Sequence, residues 1–373
     1  MNIAIVCYPT HGGSGVVATE LGLNLARKGH SIHFISYSSP FRLTNYQSNI
    51  YYHEVDVSAY PLFKFPPYDL SLATKIIEVA EENDIDIVHA HYAIPHAISA
   101  YLAKKMFKEK NLKIITTLHG TDITLVGKDP SFFKVVQFGI EQSDGVTAVS
   151  KYLSERTREE FKVEKPIETI HNFIDPDRFN GVVSRCNRKE FAPNGEKLLM
   201  HASNFRPVKR VADTIKILAK INEHIDARLI LIGEGPDHKS SHDLAREYHI
   251  QDKVLYLGTQ DYIENLLACA DLFLLPSSEE SFGLAALEAL SSKTPVIGTH
   301  IGGLPEVIDH NVNGLLYPVG DIDGMASGAL DLLTNDSLYE SFQQEARQKA
   351  ISDFHYEQIV PQYEEYYEMV LNR

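Results

Sequence analysis

Residues 271–290 read DLFLLPSSEESFGLAALEAL, and this stretch predicts a short buried strand, a Gly/Ser turn and an Ala/Leu-rich helix. The turn places the unpaired N–H groups of a helix start just beyond the carboxyl end of the strand. Such a position attracts anions, because these donors and the positive end of the helix dipole point the same way. Gly283 has no side chain, so an anionic group such as a phosphate can approach the backbone there.

Two glutamates flank this turn, with Glu280 before the predicted helix and Glu288 inside it. Helical geometry, at about 1.5 Å of rise per residue, separates them by roughly 12 Å along the axis. This spacing suits a nucleotide sugar, with Glu288 on the ribose, the helix start on the diphosphate and Glu280 on the sugar. The residues of the helix start are Ser281, Phe282, Gly283 and Leu284. The simpler alternative is two surface glutamates on an amphipathic helix, since the helix dipole alone favours acidic residues near a helix start.

The chain has 373 residues, which is too long for one ordinary hydrophobic core and predicts two domains. Its net charge of −15 argues against general nucleic-acid binding. No secretory segment precedes the first apolar strand and no apolar run is long enough to span a bilayer, so we expect a cytoplasmic protein without a membrane span. Cys7 and Cys269 lie in apolar contexts and are interpreted as buried thiols, which suits a reducing compartment.

Short apolar runs alternate with helical patterns along the whole chain. Such alternation indicates parallel sheets with helices on both faces and ligands at the carboxyl ends of the strands. The predicted strands of the first half are 2–8, 31–37, 50–57, 85–90, 113–118, 145–149 and 167–171. Those of the second half are 198–202, 228–232, 253–257, 271–275, 295–299 and 314–317. The irregular stretch 180–197 between the two halves is interpreted as a linker or a loop at the domain edge.

Two loops at strand ends of the first half carry candidate ligand-binding residues. The glycine-rich first loop is either a plain tight turn or a place where a ligand approaches the backbone at Gly13 and the Ser14 hydroxyl. A later strand ends at His119, which is either a structural hydrogen-bonding residue or a ligand contact. Thr121 follows as a candidate contact, and we expect Asp122 to orient the loop.

A pair of histidines lies on the strand that ends near residue 90. His89 and His91 are two positions apart, so they face the same side of the strand. No carboxylate or cysteine joins them at a recognisable metal-ligand spacing, and we therefore expect no metal there. Tyr92 follows at the strand end and is a candidate hydrogen-bonding contact for a ligand.

The first loop of the second half carries two cations at a predicted helix start. Arg206 and Lys209 are three positions apart and can share a helical face, where together they would clamp a diphosphate. A solvated basic patch is the plain alternative. Because such a clamp neutralises a leaving diphosphate, we expect no metal and no other cofactor. Short acidic triplets such as Asp321-Ile322-Asp323 are interpreted as turn residues.

The motif around Glu280 resembles that of the retaining glycosyltransferases of family GT4. Its signature is a Glu, seven residues and a second Glu, followed by a Pro-Val strand and a Gly-Gly turn; here it reads Glu280 to Glu288, Pro295-Val296 and Gly302-Gly303. The resemblance implies an α/β protein of the GT-B fold, with two doubly wound Rossmann-like domains facing a central cleft. It implies an acceptor-binding domain at 1–172, a nucleotide-sugar-binding domain at 173–354 and a C-terminal helix, about 355–373, that packs back on the first domain.

The same resemblance implies roles for single residues. A histidine in the position of His119 faces the donor sugar, and Gln260 is the counterpart of a residue beside the nucleotide base. The implied catalytic residues are His119, Arg206, Lys209 and Glu280. Many relatives carry an arginine five residues before the lysine, where this chain has Asn204, so Arg206 would supply the guanidinium from a shifted position. A glycosidase pair is a poorer interpretation of the two glutamates, because its carboxylates flank one bond at about 5–9.5 Å.

Further stretches of the first half narrow the resemblance within GT4. Residues 2–17, 29–36, 40–43 and 53–55 look like the enzymes that transfer N-acetylglucosamine from UDP-N-acetylglucosamine to L-malate, the first step of bacillithiol biosynthesis. The candidate contacts for such a small hydroxy-acid acceptor are Ser14, Tyr92, Thr121 and Lys151. Two rival expectations stay open: a lipid or cell-wall glycan acceptor, and a non-catalytic nucleotide-sugar-binding protein. A homo-oligomer is compatible with each of them.

Overall fold

The structure, a computed structural model, describes residues 1–10, 12–44, 46–57, 61–108, 111–182 and 186–373. His11 of the glycine-rich first loop and residues 183–185 of the predicted linker lie outside this part of the chain. The described residues form two compact units, one comprising Met1–Asn172 with Tyr356–Arg373 and the other Phe173–His355. Each unit is built on a parallel sheet with helices, so the predicted α/β class with two doubly wound domains is confirmed.

The first unit contains a seven-stranded sheet in the order β3-β2-β1-β4-β5-β6-β7. Its strands are β1 (Asn2–Val6), β2 (Ser31–Ser36), β3 (Ile50–Glu54), β4 (Ile87–His91), β5 (Lys113–Leu118), β6 (Gly145–Ala148) and β7 (Glu168–Thr169). Its first six helices are α1 (Gly13–Arg27), α2 (Tyr68–Asn83), α3 (Ile98–Met106), α4 (Thr121–Thr124), α5 (Pro130–Gln142) and α6 (Lys151–Phe161). The strand order reverses between β1 and β4, which is where parallel sheets of this kind bind ligands.

The central strands of this sheet are buried along their whole length, since helices cover both faces. That burial explains why β4 and β5 read as continuous runs rather than as alternating polar and apolar residues. Two later helices of this unit, α5 and α6, begin at side-chain caps. Asp129 accepts a hydrogen bond from the Ser131 N–H at 2.8 Å to start α5, and Ser150 accepts one from the Leu153 N–H at 3.0 Å to start α6.

The second unit contains a six-stranded parallel sheet in the order β10-β9-β8-β11-β12-β13. Its strands are β8 (Lys197–Ala202), β9 (Ala227–Ile232), β10 (Val254–Tyr256), β11 (Leu272–Leu275), β12 (Val296–Thr299) and β13 (Gly314–Tyr317). Its helices are α7 (Arg188–Phe191), α8 (Val211–Ile221), α9 (His238–Glu247), α10 (Glu264–Cys269), α11 (Leu284–Ser291), α12 (Leu304–Val307), α13 (Ile322–Thr334) and α14 (Asp336–Phe354). Here the strand order reverses between β8 and β11.

The last helix, α15 (Tyr356–Leu371), belongs to the first unit. The Tyr366 hydroxyl accepts a hydrogen bond from the Val146 N–H at 2.8 Å, and the Tyr367 hydroxyl lies 2.7 Å from His89 Nδ1. Tyr363 and Tyr367 are fully buried, so they are packing residues of this unit. Among the described helices, none combines the length and the apolar character that a bilayer span requires.

The interpretation of Cys269 as a buried thiol is wrong. Cys186 and Cys269 form a disulfide, with their Cα atoms 5.7 Å apart. Cys186 lies in the predicted linker, which returns to the end of α10, and the 83-residue separation along the chain conceals that approach. The cysteines therefore give no support to a reducing compartment. Cys7 is a free, buried thiol, and burial raises its pKa to about 12.

Candidate functional site

The central contact of the second unit joins the loop after β8 to the loop after β11. Lys209 Nζ lies 2.5 Å from Glu280 Oε1, and both side chains are largely buried, with 22% and 11% exposed. These loops follow the two neighbouring strands at which the strand order reverses. The structure therefore brings two of the predicted catalytic residues together where a doubly wound sheet binds its ligand.

Glu280 is held by a second donor that sequence reasoning missed. The Ser277 hydroxyl donates a hydrogen bond to Glu280 Oε1 at 2.9 Å, and Ser277 is fully buried. The Ser277 carbonyl in turn accepts a hydrogen bond from the Thr299 hydroxyl at 2.5 Å. The serine after an apolar strand was visible in the sequence, but no local pattern indicates that it reaches a carboxylate three residues later. The Glu280 carboxylate thus has a fixed orientation.

The Gly-Gly turn after β12 supports the backbone of the same loop. The Gly303 N–H donates to the Glu280 carbonyl at 3.0 Å. Gly302 adopts a φ of +59°, and a Cβ atom at this position would lie 1.8 Å from the Glu280 carbonyl oxygen. Only glycine allows this backbone-to-backbone contact, so the Gly-Gly turn of the motif fixes the position of the Glu280 backbone.

Replacement of Gly302 by alanine should lower the free energy of unfolding by about 2–5 kcal/mol, the sum of the left-handed backbone cost and the overpacking cost. Gly195→Ala is the matched control, because Gly195 has a φ of +85° but open space around its Cβ position. This control should lose only the backbone part, about 1–2 kcal/mol. Urea denaturation of both variants measures the difference, and equal losses would refute a tight contact at Gly302.

The helix after Glu280 begins as predicted, with Glu280 outside α11 and Glu288 inside it. Gly283 precedes the helix at a φ of +99°, and a Cβ there would lie 2.4 Å from Leu304 Cδ2. Ser281 and Leu284 are partly exposed, whereas Phe282 is buried against Phe354 at 5.6 Å between ring centroids. The first N–H groups of α11 have no acceptor within the helix, and such groups at a helix start bind anions. Glu288 is 7% exposed.

Two predicted residues of this unit, Arg206 and Gln260, have exposed side chains. Arg206 is exposed and immediately precedes the 3-10 turn Pro207–Lys209, so it does not share a helical face with Lys209 as predicted. Gln260 is also exposed, and its side-chain amide donates to the Leu257 carbonyl at 2.6 Å. Of the two predicted cations, Lys209 is the one that pairs with Glu280.

The first unit has its own polar cluster at the carboxyl ends of β4 and β5. His119 Nε2 lies 2.9 Å from His91 Nδ1, and the two rings are stacked with centroids 5.1 Å apart. Burial lowers the pKa of His119 to about 3, and burial lowers that of His91 well below its usual value. Both imidazoles are therefore neutral at pH 7.

Asp122 ties the ends of β4 and β5 together. Its Oδ1 accepts hydrogen bonds from the Gly120 N–H at 2.9 Å and the His119 N–H at 3.2 Å, and its Oδ2 accepts one from the Ala93 N–H at 3.0 Å. Burial raises the pKa of Asp122 to about 6, and these N–H donors act in the opposite direction. The expectation that Asp122 orients the loop is confirmed, and its reach extends to the neighbouring strand.

Tyr92 lies beside His119, with the ring centroids 5.4 Å apart. Its φ of +100° costs about 1–3 kcal/mol for a residue with a side chain, and such strain persists only where the surroundings fix the backbone. The Tyr92 N–H donates to the Thr117 carbonyl at 3.0 Å, which contributes to that fixation. A strained tyrosine at a strand end is typical of a functional position.

The other predicted contacts of the first unit begin the helices that follow three strands. Gly13 and Ser14 begin α1 after β1, Thr121 begins α4 after β5 and Lys151 begins α6 after β6. Ser14 and Thr121 are partly exposed, and Gly13 and Lys151 are exposed. All of them therefore lie at the carboxyl edge of the sheet, where ligands of parallel sheets bind.

Metal ligands are not grouped in the described part of the chain, where no cluster of three or more His, Cys, Asp or Glu side chains could hold an ion. His89 is also engaged elsewhere, with Nδ1 at 2.7 Å from the Tyr367 hydroxyl and Nε2 at 2.6 Å from the Thr117 hydroxyl. His89 and His91 are thus not arranged as a pair of free metal ligands.

Sequence comparisons relate both halves of the chain to glycosyltransferases. Residues 11–178 match the family described as Glycosyltransferase Family 4, and residues 184–349 match Glycosyl transferases group 1. The chain is 50% identical to N-acetyl-alpha-D-glucosaminyl L-malate synthase of Bacillus anthracis, over 100% of this chain and 97% of that protein. It is 26% identical to the uncharacterized glycosyltransferase MJ1607 of Methanocaldococcus jannaschii, over 96% of each chain.

Solved structures with the same fold are also glycosyltransferases. A glycosyltransferase of Rickettsia africae matches with a TM-score of 0.82 and 24% identity, over 99% of this chain and 98% of that one. Anabaena HepE in complex with UDP-glucose matches with a TM-score of 0.83 and 18% identity, over 99% of this chain and 100% of that one. At these identities the structural likeness establishes the fold.

Proposed function

This chain belongs to Glycosyltransferase Family 4, and on that premise we propose that it transfers N-acetylglucosamine from UDP-N-acetylglucosamine to the hydroxyl of L-malate. The product retains the configuration at the anomeric carbon, and the reaction is the first step of bacillithiol biosynthesis. This donor and acceptor are supported by the 50% identity, over the whole chain, to N-acetyl-alpha-D-glucosaminyl L-malate synthase.

The contact between Lys209 and Glu280 at 2.5 Å is the observation that carries the proposal. A nucleotide sugar needs cations or N–H donors for its diphosphate and an acceptor for its sugar hydroxyls, and both lie side by side here. In the proposed complex the start of α11 and Lys209 bind the diphosphate, and Glu280 accepts hydrogen bonds from the sugar. Glu288 accepts hydrogen bonds from the ribose hydroxyls.

The reaction needs no nucleophile from the protein. The bond between the anomeric carbon and the diphosphate oxygen breaks, and a bond from the malate hydroxyl oxygen forms on the same face of the sugar. The hydroxyl proton passes to an oxygen of the leaving diphosphate. Lys209 and the N–H groups of α11 stabilise the negative charge that develops on that group, an electrostatic contribution that is large in such sites. We propose that this stabilisation suffices without a metal ion.

The acceptor contacts are proposed in the first unit. Malate carries two carboxylates, which require cations, hydroxyls or N–H donors. Lys151 offers a cation, and Ser14, Thr121 and Tyr92 offer hydroxyls, all at the carboxyl edge of one sheet. His119, beside Tyr92, would contact the donor sugar. We propose a cytoplasmic enzyme that acts on two small substrates and does not bind nucleic acid.

Release of UDP from UDP-N-acetylglucosamine should depend on L-malate in an assay with a panel of hydroxy acids. L-malate should give the highest kcat/KM, with D-malate and lactate as controls that lack its configuration or its second carboxylate. The rate should persist in EDTA, since no metal is expected. Release with a lipid or glycan acceptor but not with malate would overturn the acceptor, and tight binding of the nucleotide sugar without any release would indicate a binding protein.

A further inference from the structure

The buried imidazole of His91 makes a hydrogen bond through one ring nitrogen, while its other ring nitrogen has no partner among the described residues. It lies on β4 with no exposed surface, packed between His89 at 4.3 Å and His119 at 5.1 Å between ring centroids. Its Nδ1 lies 2.9 Å from His119 Nε2. Its Nε2 is buried and has no hydrogen-bond partner among the described residues.

That arrangement determines which ring carries the shared proton. Two neutral imidazoles form one hydrogen bond, and each ring carries a single N–H. If His119 were the donor, the N–H of His91 would be at Nε2, where it would be buried without an acceptor. If His91 donates from Nδ1, its Nε2 is a bare acceptor, which is the less costly unsatisfied group. In the less costly arrangement, the proton between the rings belongs to His91.

We propose that His91 is a positioning residue that holds His119 as the tautomer protonated at Nδ1. His119 then accepts from His91 at Nε2 and carries its proton at Nδ1, where it can donate a hydrogen bond, and the residue as a whole is partly exposed. The group that accepts this hydrogen bond follows from the proposed function. It is a hydroxyl oxygen of the N-acetylglucosamine moiety. The other tautomer would present a lone pair instead of a donor.

Hydrogen bonds fix the backbone at both His91 and His119, and a positioning residue needs such a fixed backbone. The His91 carbonyl accepts a hydrogen bond from His96 Nδ1 at 2.5 Å, and the His119 N–H donates to Asp122. Asp122 also accepts from the Ala93 N–H, two residues after His91. Because both strand ends share one carboxylate, the distance between the two rings is fixed, and a tautomer can be selected by a single contact.

Two substitutions separate this role from simple packing. In His91→Asn the side-chain amide N–H takes the place of the Nδ1–H and can still donate to His119. In His91→Gln the amide lies near the former Nε2, so the donor to His119 is lost although Gln is closer to His in size. We expect His91→Gln to lower kcat about tenfold, the effect of one hydrogen bond, with a small change in KM, and His91→Asn to keep most of the wild-type kcat. An equal loss in both variants, or a larger loss in His91→Asn, would overturn the proposal.

A spectroscopic measurement decides the tautomer without reference to activity. Nitrogen-labelled histidine in the wild-type protein reports the protonated nitrogen of each ring, and the signals of His119 are identified by their loss in His119→Asn. Protonation at Nδ1 is expected, and protonation at Nε2 would overturn the inference even if both His91 variants failed to fold. Absence of malate-dependent turnover in the wild type would refute the proposed function instead, while the tautomer would still be measurable.

Discussion

Replacing Lys209 with alanine is expected to lower kcat about a hundredfold to a thousandfold, the range for loss of one preorganised charge-stabilising group. The Lys209 ammonium lies in a largely buried site beside the start of α11, where negative charge would develop on the leaving diphosphate. Because this charge is greatest as the glycosidic bond breaks, the loss should appear mainly in kcat and less in KM. Steady-state UDP release over a range of both substrates measures the two constants.

The matched control for that variant is Lys216→Ala. Lys216 also pairs with a carboxylate, lying 3.5 Å from Asp213, but its side chain is 38% exposed on α8. We expect its removal to change kcat by less than about twofold. Thermal unfolding of both variants checks that each is folded, and the hydrogen bond from Ser277 to Glu280 does not involve Lys209. A Lys209→Ala enzyme that is folded and retains wild-type kcat would rule out this lysine as the charge-stabilising group.

Replacing Glu288 with alanine is expected to raise the KM for UDP-N-acetylglucosamine about tenfold to a hundredfold, with a smaller effect on kcat. A carboxylate that accepts from ribose hydroxyls makes charge-assisted hydrogen bonds, each of which contributes about 1.5–3 kcal/mol to binding. Glu288 is 7% exposed within α11, so its position is fixed by the helix. Calorimetric titration with UDP measures the same loss without catalysis.

Glu345→Ala is the control for Glu288→Ala, since Glu345 is exposed on α14 of the same unit. It should leave the affinity for UDP unchanged. If Glu288→Ala bound UDP as tightly as the wild type, Glu288 would be a structural residue of α11 and not a ribose ligand.

Local patterns predicted the elements that depend on neighbouring residues. The strand predicted at 113–118 has those same bounds in the structure, because its apolar run is a local signal. Likewise, Glu280 lies before α11 and Glu288 within it, since the loop ends and the helix begins at Gly283. Strand order is not local, and periodicity did not predict it; the family resemblance implied the fold with two doubly wound domains.

The features that the sequence did not reveal depend on distant contacts. The disulfide partners are 83 residues apart, and Lys209 is separated from Glu280 by 71 residues. His89 and His91 were rightly placed on one face of a strand, but only the fold brings His119 within 2.9 Å of His91. The prediction that Arg206 and Lys209 share a helical face failed because Pro207–Lys209 forms a separate 3-10 turn ahead of α8.

A crystal structure of the protein with UDP shows directly whether the diphosphate binds at the start of α11. We expect the phosphates to contact the N–H groups at the start of α11 and the Lys209 ammonium, with the Glu288 carboxylate within hydrogen-bonding distance of the ribose hydroxyls. UDP bound at another strand end, with Glu288 making no contact to the ribose, would contradict this expectation.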